Sequence, residues 1–431
     1  MFYGIYRLLT RLFCWSAFPL FIAYSLATGR HRKSLKQRLG FYERTLIPAN
    51  RSTVIWIHAA SVGEVKAAKI LIEGLTRACS GIHIVLTTVT EQGLEVARKE
   101  LGNAALCLYA PLDFPGSVAR AARFISPAVY ICLETELWPN LLKELHGLSV
   151  RMFLLNARIS ARSCRRYLVF KKLAGELLAG FSAIAAISGK DGDRLVKLGA
   201  DENTLFVSGN VKYDLPEPEA PETTAAHYRK VLGLTEENTV IVGGSTHTGE
   251  EAIMVKAFRE LRQTLSHPVL ILAPRHLSRL GDLCRELSAL GAAHELQSSI
   301  KAGNRKNDII IVDTMGSLAE IYSVADYIFC GGSLVERGGH NLIEAARWGI
   351  PVFYGPSMKD FHDAKLILEE NGGGFMVESG ADFVEKIKNL AEDHDRYRHV
   401  SSGARKTALL QHGAAEKQLA PVIKALREMT A

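Results

Sequence analysis

From Thr53 onward, short β-branched apolar runs alternate with stretches whose apolar positions recur every three or four residues. The runs are TVIWIHAA, HIVLTTVT, LCLYAPL, AVYICLE, VRMFLLNA, AIAAIS and LFVSGN. Segments of helical period, such as VKAAKILIEGLTRA, lie between them. This alternation predicts parallel strands joined by crossover helices, an α/β fold. The pattern breaks at residues 214–224, DLPEPEAPETT, where three prolines and four acids rule out a strand or a long helix. It resumes with TVIVGGST, PVLILAPR, DIIIVDT, YIFCGG and PVFYGP. Two doubly wound halves are therefore expected: an N-terminal domain over 45–215, a linker at 216–224 and a C-terminal domain over 225–431. The last helix, around Leu409–Met429, is expected to return across the domain interface. No G-x-G-x-x-G and no P-loop occurs, which removes support for dinucleotide dehydrogenases and P-loop kinases.

The chain has 431 residues, 48% apolar and 23% charged, enough for two domains of ordinary size. Seven scattered cysteines, with no C-x-x-C pair, give neither zinc spacing nor a disulfide framework. The net charge of +7 is concentrated: residues 1–44 carry eight Lys/Arg against one acid, and the remainder is balanced. A generally nucleic-acid-binding body is thereby disfavoured. Between Arg11 and Arg30 lie 18 uncharged residues, a helix of roughly 27 Å against a ~30 Å hydrocarbon core. Arg30, Arg32, Lys33, Lys36 and Arg38 follow, a cluster that favours the cytoplasmic side and anionic headgroups. Residues 1–44 are thus expected to form a membrane anchor and basic flank, with the catalytic body cytoplasmic. A helix lying in the interface is the competing reading. A cleaved signal peptide ending at Ser25-Leu26-Ala27 is disfavoured by the basic stretch after it.

In open α/β sheets ligands bind beyond the carboxyl ends of the strands. Four N-terminal segments occupy such ends. Ser61-Val62-Gly63-Glu64 has the S-x-x-E spacing of a capping box. The same position suits a general base, kept ionised because a helix start depresses a carboxyl pKa. A glutamate bound back to its own helix start is not free to take a proton. A base here therefore requires the Glu64 carboxylate turned toward the cleft, with Ser61 capping the helix alone. Glu134-Thr135-Glu136 precedes Trp138-Pro139, two acids beside a stiff apolar wall. Arg158, Arg162, Arg165 and Arg166 form either a solvated helix face or a patch for an anionic acceptor, and Lys212 ends the last strand of this half.

The C-terminal half holds GGSTHTGEE (243–251), APRH (273–276), DTMGSLAEIY (313–322) and GGSLVERGGHNLIEAARWGIPVFYGP (331–356). Glycine turns opening helices, near Arg275, Met315, Gly316, Ser317, Asn341 and Glu344, suit a nucleotide's phosphate and ribose. For Asn341 and Glu344 a plain helix cap is the competing reading. Asp191-Gly192-Asp193 resembles a metal-binding D-x-D but sits where a helix start expects acids, and Glu336/Glu344 spacing is a weak signal. His58 and His340 are read as hydrogen-bonding residues; no metal ligand and no cofactor is expected.

With these segments assembled, the chain resembles the 3-deoxy-D-manno-octulosonic acid (Kdo) transferases of lipopolysaccharide synthesis. HAASVGEV, ETELWPN, NARISARS, SGNVKYD, GSTHTGEE, APRH, GGHNLIEAA and GIPVFYGP carry the resemblance, together with the basic-flanked N-terminus. It implies a GT-B fold, two Rossmann-like domains facing a cleft, with an N-terminal hydrophobic anchor helix. It implies inverting, metal-independent transfer of Kdo from CMP-Kdo to a lipid A precursor at the inner membrane. Glu64 then matches the proton acceptor, and Glu134 and Lys212 match residues that stabilise the transition state. Pro274, Arg275, Met315, Gly316, Ser317, Asn341, Leu342, Ile343 and Glu344 match the CMP-binding segments. Ser317 departs from the glutamate common there. Ser61, Gly63, Arg158 and Arg162 are assigned to the acceptor. The alternative is another GT-B enzyme using a UDP-sugar, a lipid-linked glycosyltransferase or a sugar-nucleotide epimerase.

Overall fold

In the computed structural model, all residues are described except Met1, Ala17, residues 20–31 and 44–52, Pro216, Glu219, Ala302 and Ala431. The chain divides into two compact units, Met1–Asp214 with Gly413–Ala431, and Leu215–His412. Unit 1 holds a seven-stranded parallel sheet built from β1 (Thr53–His58), β2 (Ile82–Thr88), β3 (Leu106–Tyr109), β4 (Val129–Leu133), β5 (Arg151–Ala157), β6 (Phe181–Ala186) and β7 (Leu205–Val207). Its order is β3-β2-β1-β4-β5-β6-β7. Unit 2 holds β8 (Val240–Thr246), β9 (Val269–Pro274), β10 (Glu295–Leu296), β11 (Ile309–Ile311), β12 (Tyr327–Cys330), β13 (Val352–Tyr354) and β14 (Gly374–Met376), in the order β10-β11-β9-β8-β12-β13-β14. Each sheet is doubly wound, so its central strands are buried on both faces. On β1, Val54 and Trp56 enter one core and Ile55 and Ile57 the other.

All twelve apolar runs form strands. The two strands that the pattern missed, β10 and β14, are two and three residues long and only half-buried, too short to show a period. The expected linker is shorter than its composition indicates. Proline at the first helical position starts a helix rather than blocking it, and Pro221–Leu232 is helical.

The helix Phe2–Ser16 begins the chain and rests on unit 1. The Tyr6 hydroxyl donates to Asp113 (2.9 Å), and Asn140 Nδ2 donates to the Thr10 hydroxyl (3.2 Å). The expected span over 12–29 lies largely outside the described residues, and no described helix is long and apolar enough to cross a membrane.

The C-terminal helix Ala414–Thr430 packs Leu419, Val422 and Leu426 into the core of unit 1, against the helix Val62–Ala78. Gly74 permits the approach: a Cβ there would lie 2.5 Å from Leu419 Cδ1. Gln418 is fully buried and joins three segments. Its Oε1 accepts from Asn156 N (2.8 Å), and its Nε2 donates to Ser208 Oγ (2.9 Å) and Gly209 O (3.0 Å). Replacing Gln418 by Leu leaves buried polar groups unpaired and should destabilise unit 1 by about 2–4 kcal/mol. Urea denaturation of the variant against the wild type measures this.

Candidate functional site

In unit 1 the strand order reverses between β1 and β4; in unit 2 it reverses between β8 and β12. Such points open the crevices in which doubly wound sheets bind ligands. The loops leaving β1 and β4 carry Ser61–Glu64 and Glu134–Asn140.

Two expectations for Glu64 are corrected. Ser61 does not cap the helix alone with the Glu64 carboxylate left free: Oε2 accepts from Ala60 N (2.8 Å) and Oε1 from the Ser61 hydroxyl (2.7 Å), while Ser61 Oγ accepts from Glu64 N (3.4 Å). This is a capping box shifted by one residue, since Ala60 rather than Ser61 donates its backbone N–H. The side chain is buried, and a buried carboxylate takes the donors beside it. Nor is its pKa depressed. Burial raises it to about 7, with Glu134 adding to the rise and the Ser61 and Ala60 hydrogen bonds opposing it. Desolvation outweighs the helix start.

Glu134 sits at φ +56°, a backbone conformation that costs a non-glycine residue energy and collects at functional sites. Its Oε1 accepts from Lys212 Nζ (2.8 Å), and Arg158 Nε lies 3.4 Å from its Oε2. A Cβ on Gly63 would stand 3.4 Å from Lys212 Nζ, so the Glu64 helix start and Lys212 are neighbours. Ser61, Gly63, Glu64, Glu134, Arg158 and Lys212 thus form one cluster. Arg162 stands apart, exposed on the helix Ala161–Leu168 with Arg165 and Arg166.

Lys212 is held from behind by residues that sequence reasoning missed. Asn210 Oδ1 accepts from Lys212 N (3.0 Å), and Asn156 Oδ1 accepts from Val211 N (3.1 Å). Asn156 in turn donates its N–H to Gln418. Asn156 and Asn210 lie within NARISARS and SGNVKYD; Gln418 sits in an ordinary helical stretch and carried no signal. His58 is buried, with Nδ1 3.1 Å from Thr87 Oγ1 and its ring edge-on to Trp138; burial lowers its pKa to about 4. Asp191 ends the argument for a D-x-D site: it accepts from Ile159 N (2.8 Å) and from the Ser188 hydroxyl, in a helix start.

In unit 2 the organising group is Glu250, fully buried at the start of the helix Glu250–Leu261. Oε2 accepts from His247 N (2.9 Å) and Gly332 N (2.7 Å); Oε1 accepts from Ser333 N and Leu334 N (both 3.0 Å). One carboxylate therefore ties the loop after β8 to the loop after β12. Glycines are required where these loops cross: a Cβ on Gly331 would fall 2.5 Å from Ser245 O. His247 and His340 stack at 5.3 Å with their Nε2 atoms 3.0 Å apart, and burial and Arg275 lower the His340 pKa to about 4.

The expected nucleotide-binding residues lie at the carboxyl ends of these strands. Pro274 ends β9, and Arg275 N donates to Thr246 O (3.0 Å). Met315 is exposed, Gly316 has φ +88°, and Ser317 shares a hydrogen bond with Thr314 (2.9 Å). Asn341 caps the helix Leu342–Ala346 by accepting from Ile343 N (3.0 Å); Leu342 and Ile343 are buried. Glu344 has a pKa raised by burial, with Arg347 and Arg275 opposing. The Trp348 indole, just past this helix, donates to Ala319 O (2.7 Å) in the helix Leu318–Ile321 that follows the 315–317 segment.

Two measurements probe these carboxylates. A carboxyl whose folded pKa is raised contributes stability that is full below its unfolded pKa of about 4.5 and lost as pH rises through about 7. The stability of Glu64→Gln relative to wild type should therefore increase between pH 5 and pH 8, read by thermal unfolding across that range. Glu250→Ala removes the acceptor of four N–H groups and should cost at least about 3 kcal/mol, read as a lowered denaturation midpoint of unit 2.

Residues 33–215 match the family model described as 3-deoxy-D-manno-octulosonic-acid transferase (kdotransferase). The 3-deoxy-D-manno-octulosonic acid transferase of Haemophilus influenzae is 32% identical over 414 residues, covering 94% of this chain and 95% of that protein. That of Bordetella pertussis is 31% identical, covering 86% and 87%. Among solved structures, a UDP-GlcNAc 2-epimerase from Neisseria meningitidis covers 88% of this chain and 100% of its own, with a TM-score of 0.51 at 12% identity, a likeness of fold alone.

Proposed function

Because the chain belongs to the 3-deoxy-D-manno-octulosonic acid transferase family and is a glycosyltransferase of GT-B type, we propose that it moves Kdo from CMP-Kdo onto a lipid A precursor with inversion at the anomeric carbon. Unit 1 activates the acceptor and unit 2 holds the donor. Glu64 takes the proton of the acceptor hydroxyl as its oxygen bonds to the anomeric carbon and the bond to the CMP phosphate breaks.

The observation that carries this reading is Glu64 itself, a carboxyl poised at about 7 beside the Glu134–Lys212 pair. A general base works best with its pKa near the operating pH. A solvated glutamate would be ionised but a weaker base. Glu134 faces the positive charge that develops at the anomeric carbon, and Lys212 balances the carboxylate of the sugar acid. Both are pre-oriented: Glu134 by its strained backbone and Lys212 by Asn210. The bonds from Ala60 and Ser61 give way when the acceptor hydroxyl arrives.

In unit 2, Pro274, Arg275, Met315, Gly316, Ser317, Asn341, Leu342, Ile343 and Glu344 are assigned to CMP. Arg275 neutralises the departing phosphate, so the reaction is metal-independent. Ser317 offers its hydroxyl and backbone N–H at the position where a glutamate is common. The acceptor is a membrane lipid, which places the enzyme at the inner membrane surface.

Incubation with CMP-Kdo and a lipid A precursor, followed by mass spectrometry of the lipid, tests the reading directly. CMP, and not UDP, should raise the unfolding temperature. Glu64→Gln should keep CMP binding and lose about 10²–10⁴-fold in kcat. Since the base acts deprotonated, wild-type kcat/KM should rise with pH through about 7, and this limb should vanish in the variant. Wild-type transfer rates in Glu64→Gln would remove the base assignment.

A further inference from the structure

Unit 1 carries an apolar groove of about 440 Å³ that none of the residues assigned above accounts for. Ile5, Tyr6 and Leu9 of the helix Phe2–Ser16 form one wall; Phe170 and Leu173 form the other. Ile5, Leu9 and Phe170 remain 50–58% exposed, and Val169 beside them is 74% exposed. Large apolar side chains grouped and left open in this way mark a binding surface.

Two features of the groove point to its occupant. Its floor includes Leu137 and Pro139, which leave β4 three and five residues after Glu134. Five residues of chain span at most about 18 Å, so Pro139 in the groove lies within that distance of Glu134. The helix Ala161–Leu168, which contributes Tyr167 to the lining, also carries the exposed Arg162, Arg165 and Arg166. An apolar slot lined by a helix that also carries exposed guanidinium groups, a few residues of chain from Glu134, matches a molecule that is sugar, phosphate and hydrocarbon in turn. We infer that this groove takes an acyl chain of the lipid acceptor, while the arginines of that helix meet the acceptor's phosphate. The inference rests on the function proposed above and adds the acceptor's hydrocarbon as a recognised part.

The test uses the full chain and two probes: a phosphorylated glucosamine disaccharide bearing short acyl chains, kept below its micelle concentration, and the same disaccharide without acyl chains. Dissociation constants are measured by titration, and transfer from CMP-Kdo is followed in parallel. Leu9→Gln and Phe170→Gln alter side chains more than half exposed, so the fold should stand. Each should weaken binding of the acylated probe by about 10-fold or more, the usual effect of spoiling one apolar contact, and leave the acyl-free probe unchanged. An acylated probe that binds the variants as it binds wild type overturns the inference. So does an effect confined to vesicles, which makes the face a membrane contact, or a lowered unfolding temperature with unchanged binding, which makes the groove the seat of another segment of this chain. Acyl-dependent binding without sugar transfer would leave the groove standing and remove the proposed reaction.

Discussion

A carboxylate placed inside protein without a full charge partner must be held by N–H and O–H groups, and both units are built around this constraint. Each has such a group at the start of the helix that follows its first strand. Glu250 is saturated: four backbone N–H groups converge on it, and it fixes two loops in one arrangement. Among the described residues, the Glu64 carboxylate accepts two hydrogen bonds, from Ala60 and Ser61, and burial leaves it poised near neutrality. The same topological position thus carries a saturated carboxylate in unit 2 and, in unit 1, the carboxylate proposed above as the base. The difference lies in how many donors meet the charge.

This resolves an apparent opposition between capping and catalysis at Glu64. Capping hydrogen bonds lower a carboxyl pKa and burial raises it; burial is the larger effect here. A capped glutamate can therefore still be a base of useful strength, provided that substrate displaces the cap. The conformational cost of Glu134 at φ +56° belongs to the same design, since that backbone turn aims its carboxylate at Lys212 and Arg158. Lys212 depends on a chain of amide side chains that ends in Gln418, contributed from more than 200 residues away.

Much of the architecture was legible because it rests on local patterns. Continuous apolar runs such as VYICL and VLILAP have one stable setting, the interior of a parallel sheet, and the glycine turns that follow them locate the strand ends. Glu134 and Arg275 could be singled out because they directly follow such strands, and Glu64 and Lys212 because they stand in the turns beyond strand ends, where doubly wound sheets bind ligands. What failed was local too: DLPEPEAPETT reads as linker, yet Pro221 starts a helix within it. The pKa of Glu64 was misjudged because the helix start is visible in S-x-x-E, whereas its burial is not.

The sequence by itself determined the two parallel sheets, the turns at their ends and the chemical types of the site residues, since periodicity and spacing are properties of the chain alone. Only the tertiary structure decided which charges meet. Glu134 finds Lys212 across 78 positions, Gln418 braces Asn156 across 262, and the Phe2–Ser16 helix meets Phe170 at one groove. Burial, pKa and hydrogen-bond saturation arise from such long-range contacts. For that reason Ser61-Val62-Gly63-Glu64 could be read as a cap or as a base from its letters, whereas the folded chain shows the cap together with a carboxyl whose pKa burial raises to about 7, the value the proposed base requires.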